Sequence, residues 1–225
     1  MNFFAKLLQP FLGSVRAKRL DLLFSAAGDL FMYKDSYLHQ TGWGVSFLQK
    51  RPVNKDQCPI PWVTYSFIEF IRPRLHKELN IFEYGSGNST AFYAERCNSV
   101  TSVEHDEEWI KEVKEMLPTN AQLLFRNLKE DPTSYYNAAP ESGKQYDIII
   151  VDGRDRVACT KASVSALSSS GILVLDDTER ASYQEAIDFM TEKGFKKIDF
   201  WGMAPGMVYN KCTTIFYKVD NCLNI

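Results

Sequence analysis

The 225-residue chain reads as an α/β protein: a doubly wound, mostly parallel sheet of seven strands, ending in a C-terminal antiparallel hairpin and preceded by an N-terminal helical cap. Three observations lead there. From Leu79 onward, short apolar runs alternate with helical segments, which is the pattern of βαβ units. The run Ile148–Val151 is continuously β-branched, as suits a strand buried on both faces of a helix-covered parallel sheet. The last two strand-like runs, KKIDFWG and CTTIFYKV, are joined only by MAPGMVYNK. A parallel crossover needs about a dozen residues or more, so these two must be antiparallel neighbours.

The elements follow in chain order. The opening MNFFAKLLQPFLGSVRAKRLDLLF places Phe3, Leu7, Leu8 and Phe11 at amphipathic helical spacing. Lys6, Pro10 and Arg16 interrupt it well before the roughly 18 continuous apolar residues of a membrane span, and it has no small-residue cleavage site. Such a helix suits packing on the protein's own body or on a second subunit more than attachment to a membrane surface, so a homodimer is compatible with it. The loop QKRPVNKDQCPIP carries three prolines, and a helix is expected from Pro61 through WVTYSFIEFI until Pro73 stops it. The five parallel strands are NIFEYG, SVTSVEH, AQLLFRN, YDIIIVDG and GILVLDD. Helices STAFYAERC, EEWIKEVKEML and RVACTKASVSALS lie between them, and ASYQEAIDFMTEKGF precedes the hairpin. Residues 1–78 form the cap and 79–225 the main domain, together one globular unit.

Composition narrows the function. Lys and Arg number 26 against 28 Asp and Glu, a formal net charge of -2, and no basic run interleaved with aromatics offers a nucleic-acid track. Five scattered cysteines without a CxxC spacing indicate reduced thiols in a cytoplasmic compartment and no zinc site.

The chemistry concentrates in NIFEYGSGNSTAFYAERC. Gly85 and Gly87 sit after a strand and before a helix, where a turn without side chains lets a ligand approach the backbone. A dinucleotide fingerprint requires a third glycine at position 90, and the residue there is Thr90. Asn88, Ser89 and Thr90 offer helix caps and side-chain hydrogen bonds instead. Glu83, below the loop, would repel a diphosphate and attract an ammonium. Glu104 ends the next strand, where a carboxylate accepts hydrogen bonds from both hydroxyls of a ribose.

FEYGSGNS, VEHD, YDIIIVDG and SSSGILVLDD, taken in order with the terminal hairpin, resemble the class I S-adenosylmethionine-dependent methyltransferases over roughly Ile81 to Lys218. Within that Rossmann-like superfamily the chain is similar to bacterial enzymes acting on small molecules or glycans. The resemblance implies cofactor contacts from Glu83, Gly85, Ser86, Gly87, Asn88 and Ser89 at the methionine end. It implies further contacts from Glu104 at the ribose, His105 and Asn127 at the adenine, and Asp152 beside the sulfonium. A small-molecule or glycan-precursor acceptor, methylated at oxygen, follows from the same likeness.

In catechol-type members of that superfamily, magnesium is held by an Asp after the fourth strand and an Asp-Asn pair after the fifth. Asp152, Asp176 and Asp177 are the corresponding candidates here, with Asp177 in place of the Asn. Arg154 and Arg156 can neutralise the same acids without a metal or bind an anionic substrate. Asp152 and Asp177 are the candidates for removing a proton from the acceptor, a role that needs burial or a metal because an ordinary Asp is a weak base. Asp177 also suits an N-cap for the helix near Ser182. Trp62 and Tyr65 read as core more readily than as cleft wall, and Trp201, Tyr209 and Lys211 belong to a long loop at the sheet's rim. The competing readings are an NAD(P)-dependent oxidoreductase and a non-catalytic nucleoside-binding protein on the same fold.

Overall fold

The computed structural model describes the backbone of residues 3–225 and the side chains of residue 10 and residues 13–225. The expected packing of Phe3, Leu7, Leu8 and Phe11 lies outside the described side chains. Seven strands form one sheet: β1 Asn80–Tyr84, β2 Ser99–Glu104, β3 Ala121–Phe125, β4 Tyr146–Val151, β5 Leu167–Asp176, β6 Lys196–Gly202 and β7 Lys211–Tyr217. Their spatial order is β3-β2-β1-β4-β5-β7-β6. The first five run parallel, and β7 inserts antiparallel between β5 and β6. The chain thus leaves β1 toward one edge and returns at β4 toward the other, creating a switch point where open α/β sheets bind ligands.

Among the described residues, ten α-helices accompany the sheet. The cap holds α1 Phe3–Met32, bent at Gly13, followed by α2 Tyr37–Thr41, α3 Trp43–Gln49 and α4 Tyr65–Ile71. The main domain holds α5 Asn88–Arg96, α6 Glu107–Lys114, α7 Pro132–Tyr136, α8 Ala138–Glu141, α9 Arg156–Ser163 and α10 Gln184–Glu192. No helix among the described residues is long and apolar enough to cross a membrane.

Two apolar cores sandwich the sheet. On one face Ile81, Ile148, Ile172 and Ile215 pack with Phe92 of α5 and with Leu38, Trp43, Val63 and Phe67 of the cap. On the other, Phe82, Ile149, Leu173 and Phe216 meet Tyr135, Cys159 and Met190 of α7, α9 and α10. Alternate residues of each central strand therefore serve opposite cores, as the continuous apolar runs require. The cap shares the first core with the sheet, which fixes it against the main domain.

Two local expectations are corrected. The helix expected from Pro61 begins only at Tyr65, with Thr64 as N-cap. The intervening residues are claimed by the hairpin: Trp62 Nε1 donates to Pro205 O at 2.8 Å, and Thr64 N donates to Thr213 Oγ1 at 3.2 Å. Asp177 is no helix N-cap, because a 3-10 turn at Ala181–Tyr183 intervenes before α10.

Candidate functional site

The loop between β1 and α5 is built around Thr90. Its hydroxyl accepts from Gly87 N at 3.0 Å and donates to Glu83 Oε2 at 2.6 Å, while Ser102 Oγ donates to the same oxygen at 2.8 Å. The position that breaks the dinucleotide fingerprint thus caps α5 and ties the loop to the carboxylate beneath it. Burial pushes the Glu83 carboxyl up, against hydrogen bonds from Ser89, Thr90 and Ser102 that favour its ionised form. Gly85 adopts φ 95°, and a Cβ there would lie 3.3 Å from Asp152 O and from Gly153 Cα. That position combines left-handed backbone with a close strand-to-strand approach, so glycine is required.

Glu104, buried at the end of β2, faces the loop. Its Oε2 accepts from Ser86 Oγ at 3.0 Å, and its Oε1 accepts from His105 N at 2.8 Å and Asp106 N at 3.1 Å. His105 Nδ1 lies 2.7 Å from Oε1. Asp106 caps α6, and Trp109 on the first turn donates its indole N–H to Ser86 O at 2.9 Å, bracing the loop from outside. Glu104, His105, Gly85, Ser86, Trp109 and Asp152 line one hollow. Asn127 lies in the adjoining one, with His105, Phe125 and Leu128.

Asp152, after β4, and Asp176 and Asp177, at the end of β5, are brought together as the sequence suggests, but with built-in cations. Arg156 reaches Asp152 at 2.9 Å, Asp177 at 3.2 Å and Asp176 at 3.6 Å. Lys211, from the start of β7, reaches Asp177 at 2.6 Å and Asp176 at 2.9 Å, and Arg180 meets Asp177 at 2.7 Å. These ion pairs do not support the expectation that the three acids hold magnesium. Three carboxylates already face three cations, and a divalent ion would have to displace buried ammonium and guanidinium groups. Among the described residues no other group of His, Cys, Asp and Glu is arranged to hold a metal either. Arg154 makes no ion pair with the cluster; Arg156 alone fulfils that expectation.

The electrostatics of the three acids diverge. Burial, reinforced by the neighbouring Asp176, drives the Asp152 carboxyl well above the usual range despite Arg156 and Lys211. Asp176 is raised by burial as well, opposed chiefly by Lys211. Asp177 also loses hydration, but the hydrogen bond and charge of Lys211, with Arg156 and Arg180, outweigh that loss and hold it below the usual range. The same residue has φ 62°, a left-handed backbone that a non-glycine residue adopts only where its surroundings enforce it.

The cap completes the site. Asn88, first residue of α5, donates to Pro52 O at 2.7 Å and accepts from Arg51 Nη2 at 3.2 Å. The β6–β7 loop docks on the cap through Trp43 Nε1, which donates to Met207 O at 2.7 Å. The resulting cavity of about 330 Å³ is walled by the glycine loop, the acid cluster, Lys50, Arg51, Trp62 and Tyr209. The two aromatics expected in the core divide: Tyr65 is buried, whereas Trp62 is 38% exposed and lines the cavity. Of the rim residues, Tyr209 and Lys211 reach the cavity and Trp201 does not. His39 and His76 are surface residues. Lys50, Arg51 and Trp109 were not singled out by sequence; the adjacent basic pair in a proline-rich loop was the only available signal for the first two.

Solved structures share this architecture. A precorrin-8w decarboxylase from Methanobacterium thermoautotrophicum superposes with TM-score 0.53 at 15% identity, over 76% of this chain and 98% of its own. A methyltransferase-like protein from Silicibacter pomeroyi gives 0.52 at 21% identity, over 71% and 89%. An rRNA methylase from Streptococcus thermophilus gives 0.51 at 14% identity, over 67% and 92%. The chain has the class I methyltransferase fold. No protein-family model and no curated protein matches it by sequence. The strand order of this fold sets the glycine loop, Glu104 and Asp152 around one hollow.

Proposed function

We propose that the protein is an S-adenosylmethionine-dependent methyltransferase acting on a small-molecule or glycan-precursor hydroxyl. The observation that carries this reading is the Glu83–Thr90–Gly87 arrangement. A carboxylate directly under the loop, held there by the residue in the third-glycine position, opposes a diphosphate and suits the ammonium of a methionine moiety. Glu104 would take the ribose hydroxyls, His105 and Asn127 the adenine, and Ser86, Ser89 and the glycine loop the methionine backbone. Arg51, beside Asn88 at the α5 N-terminus, would receive the methionine carboxylate, where guanidinium and helix dipole act together.

When bound, the cofactor would supply an activated methyl group for transfer to the acceptor oxygen, with its sulfur leaving as a neutral thioether. The chain's own task is alignment, exclusion of water and removal of the hydroxyl proton. Asp152 would accept that proton, because it lines both the cofactor and the acceptor spaces and its partial burial raises its carboxyl. Asp177, clamped by three cations, positions Lys211 and Arg156 rather than accepting the proton. Residues 1–78 act as a cap that closes the acceptor side and 79–225 as the cofactor domain.

Thermal shift with S-adenosylhomocysteine, NAD and NADP tests the reading. Stabilisation by S-adenosylhomocysteine alone is expected; stabilisation by NAD or NADP alone overturns it in favour of an oxidoreductase.

A further inference from the structure

The distribution of paired and unpaired charge around the cavity carries one step more, and it rests on the methyltransferase reading above. On the floor, Asp152, Asp176 and Asp177 are met by Arg156, Lys211 and Arg180. On the cap side, Lys50 and Arg51 have no carboxylate partner among the described residues. Arg51 bonds Asn88 and the Met116 sulfur, and Lys50 Nζ rests 4.1 Å from the centroid of the Phe47 ring. The remaining acid of the wall, Glu83, is satisfied by hydroxyls beneath the loop and not by either cation.

A wall with surplus positive charge beside a sulfonium would repel a cationic acceptor and gives a neutral one nothing to pair with. On that reading Arg51 would be taken up by the cofactor's carboxylate, which leaves Lys50. Lys50 is held in left-handed backbone, φ 54°, at the end of α3, so its placement at the mouth is enforced by the local fold. Arg180, about half exposed, turns one edge of its guanidinium to Asp177 at 2.7 Å and meets Glu179 only at 3.9 Å, leaving donors for a ligand. Trp62 and Tyr209 line the same cavity and give it flat apolar surface beside these cations.

We infer that the methyl acceptor is an anion, a ring-bearing small molecule whose phosphate or carboxylate is received by Lys50 and Arg180 while its hydroxyl meets Asp152. The charge of the acceptor then serves both capture and orientation, since a group anchored at the mouth leaves the hydroxyl few ways to face the floor.

The test is a titration on the full chain saturated with S-adenosylhomocysteine, which fills the Arg51 position. Inorganic phosphate, glucuronate and neutral glucose are compared at matched ionic strength, with thermal shift as readout and unliganded protein titrated with S-adenosylhomocysteine as the first arm. Phosphate or glucuronate should raise Tm further while glucose should not, and the response to phosphate against glucuronate distinguishes the two anion sources. Lys50→Gln and Arg180→Gln should each weaken the anion about tenfold, the loss of one charge-assisted contact, while leaving the S-adenosylhomocysteine response intact. An anion response unchanged in both variants, or equal responses to glucose and glucuronate, overturns the inference and leaves the cofactor reading standing. No response to S-adenosylhomocysteine in the first arm overturns both.

Discussion

Replacing Lys211 with Met removes the one ammonium buried among three carboxylates and keeps most of the side chain's volume. In the intact protein Lys211 and Asp176 are almost fully buried, and the ammonium lies 2.9 Å from Asp176 and 2.6 Å from Asp177. Arg156 remains in the variant, so three acids face Arg156 and the half-exposed Arg180. Breaking a buried ion pair from one side costs about 3–5 kcal/mol. For a chain of this length each kcal/mol shifts Tm by roughly 2–4 °C, so a fall of about 10 °C near pH 8 is expected. The pH dependence gives the sharper test. Asp177, held below the ordinary range, contributes stability that is present above the unfolded pKa of about 3.9 and is lost as pH falls through its folded value. Asp152 and Asp176, raised by burial, contribute stability that is present below that unfolded pKa and is lost as pH rises through their folded values. Loss of Lys211 raises all three, so the deficit of the variant should shrink from pH 8 toward pH 5. Differential scanning calorimetry of both proteins across that range checks it. A variant within about 2 °C of the wild type at pH 8, or a deficit independent of pH, would refute the charge balance assigned to the cluster.

Other perturbations probe the remaining parts. Glu104→Ala removes the proposed acceptor for two ribose hydroxyls; at about 1.5 kcal/mol for each charge-assisted bond, S-adenosylhomocysteine affinity by calorimetry should fall about 100-fold. Affinity within a factor of about two would show that Glu104 serves only the loop. Thr90→Gly, which restores the dinucleotide spacing, should lower stability by about 1–2 kcal/mol in urea titration, because it removes a helix cap and leaves Glu83 short of a donor. It should not confer NAD binding, and NAD binding by this variant would count against the role given to Glu83. Magnesium and chelator should each leave Tm and cofactor affinity unchanged, since Arg156 and Lys211 already satisfy the acids. A Tm rise with magnesium that disappears in Asp176→Asn would reinstate a metal site.

The sheet was legible in the sequence because its strands are short apolar runs with turn residues between them, and because MAPGMVYNK is too short for a crossover. The glycine loop, Glu83 and Glu104 were legible for the same local reason: each lies at a fixed offset from a strand end. What local pattern could not show is the partnership formed across the sheet. Asp176 pairs in register with Thr213 on the antiparallel β7, which brings Lys211 onto the acids after β5. That register is a property of the folded sheet, so the acids looked like metal ligands when read alone. Lys50 and Arg51 were hidden for a similar reason, since the cap loop has no periodic pattern and gains meaning only where Asn88 meets Pro52 and Arg51. Helices α7 and α8 were missed because PTSYYNAAPE is too short to display a helical period.

The most direct test of the account is calorimetric titration of the wild-type protein with S-adenosylhomocysteine, NAD and NADP under identical conditions. Saturable binding of S-adenosylhomocysteine at one site per chain, with no heat from either dinucleotide, is the expected result. Saturable binding of NAD or NADP with S-adenosylhomocysteine silent would contradict it.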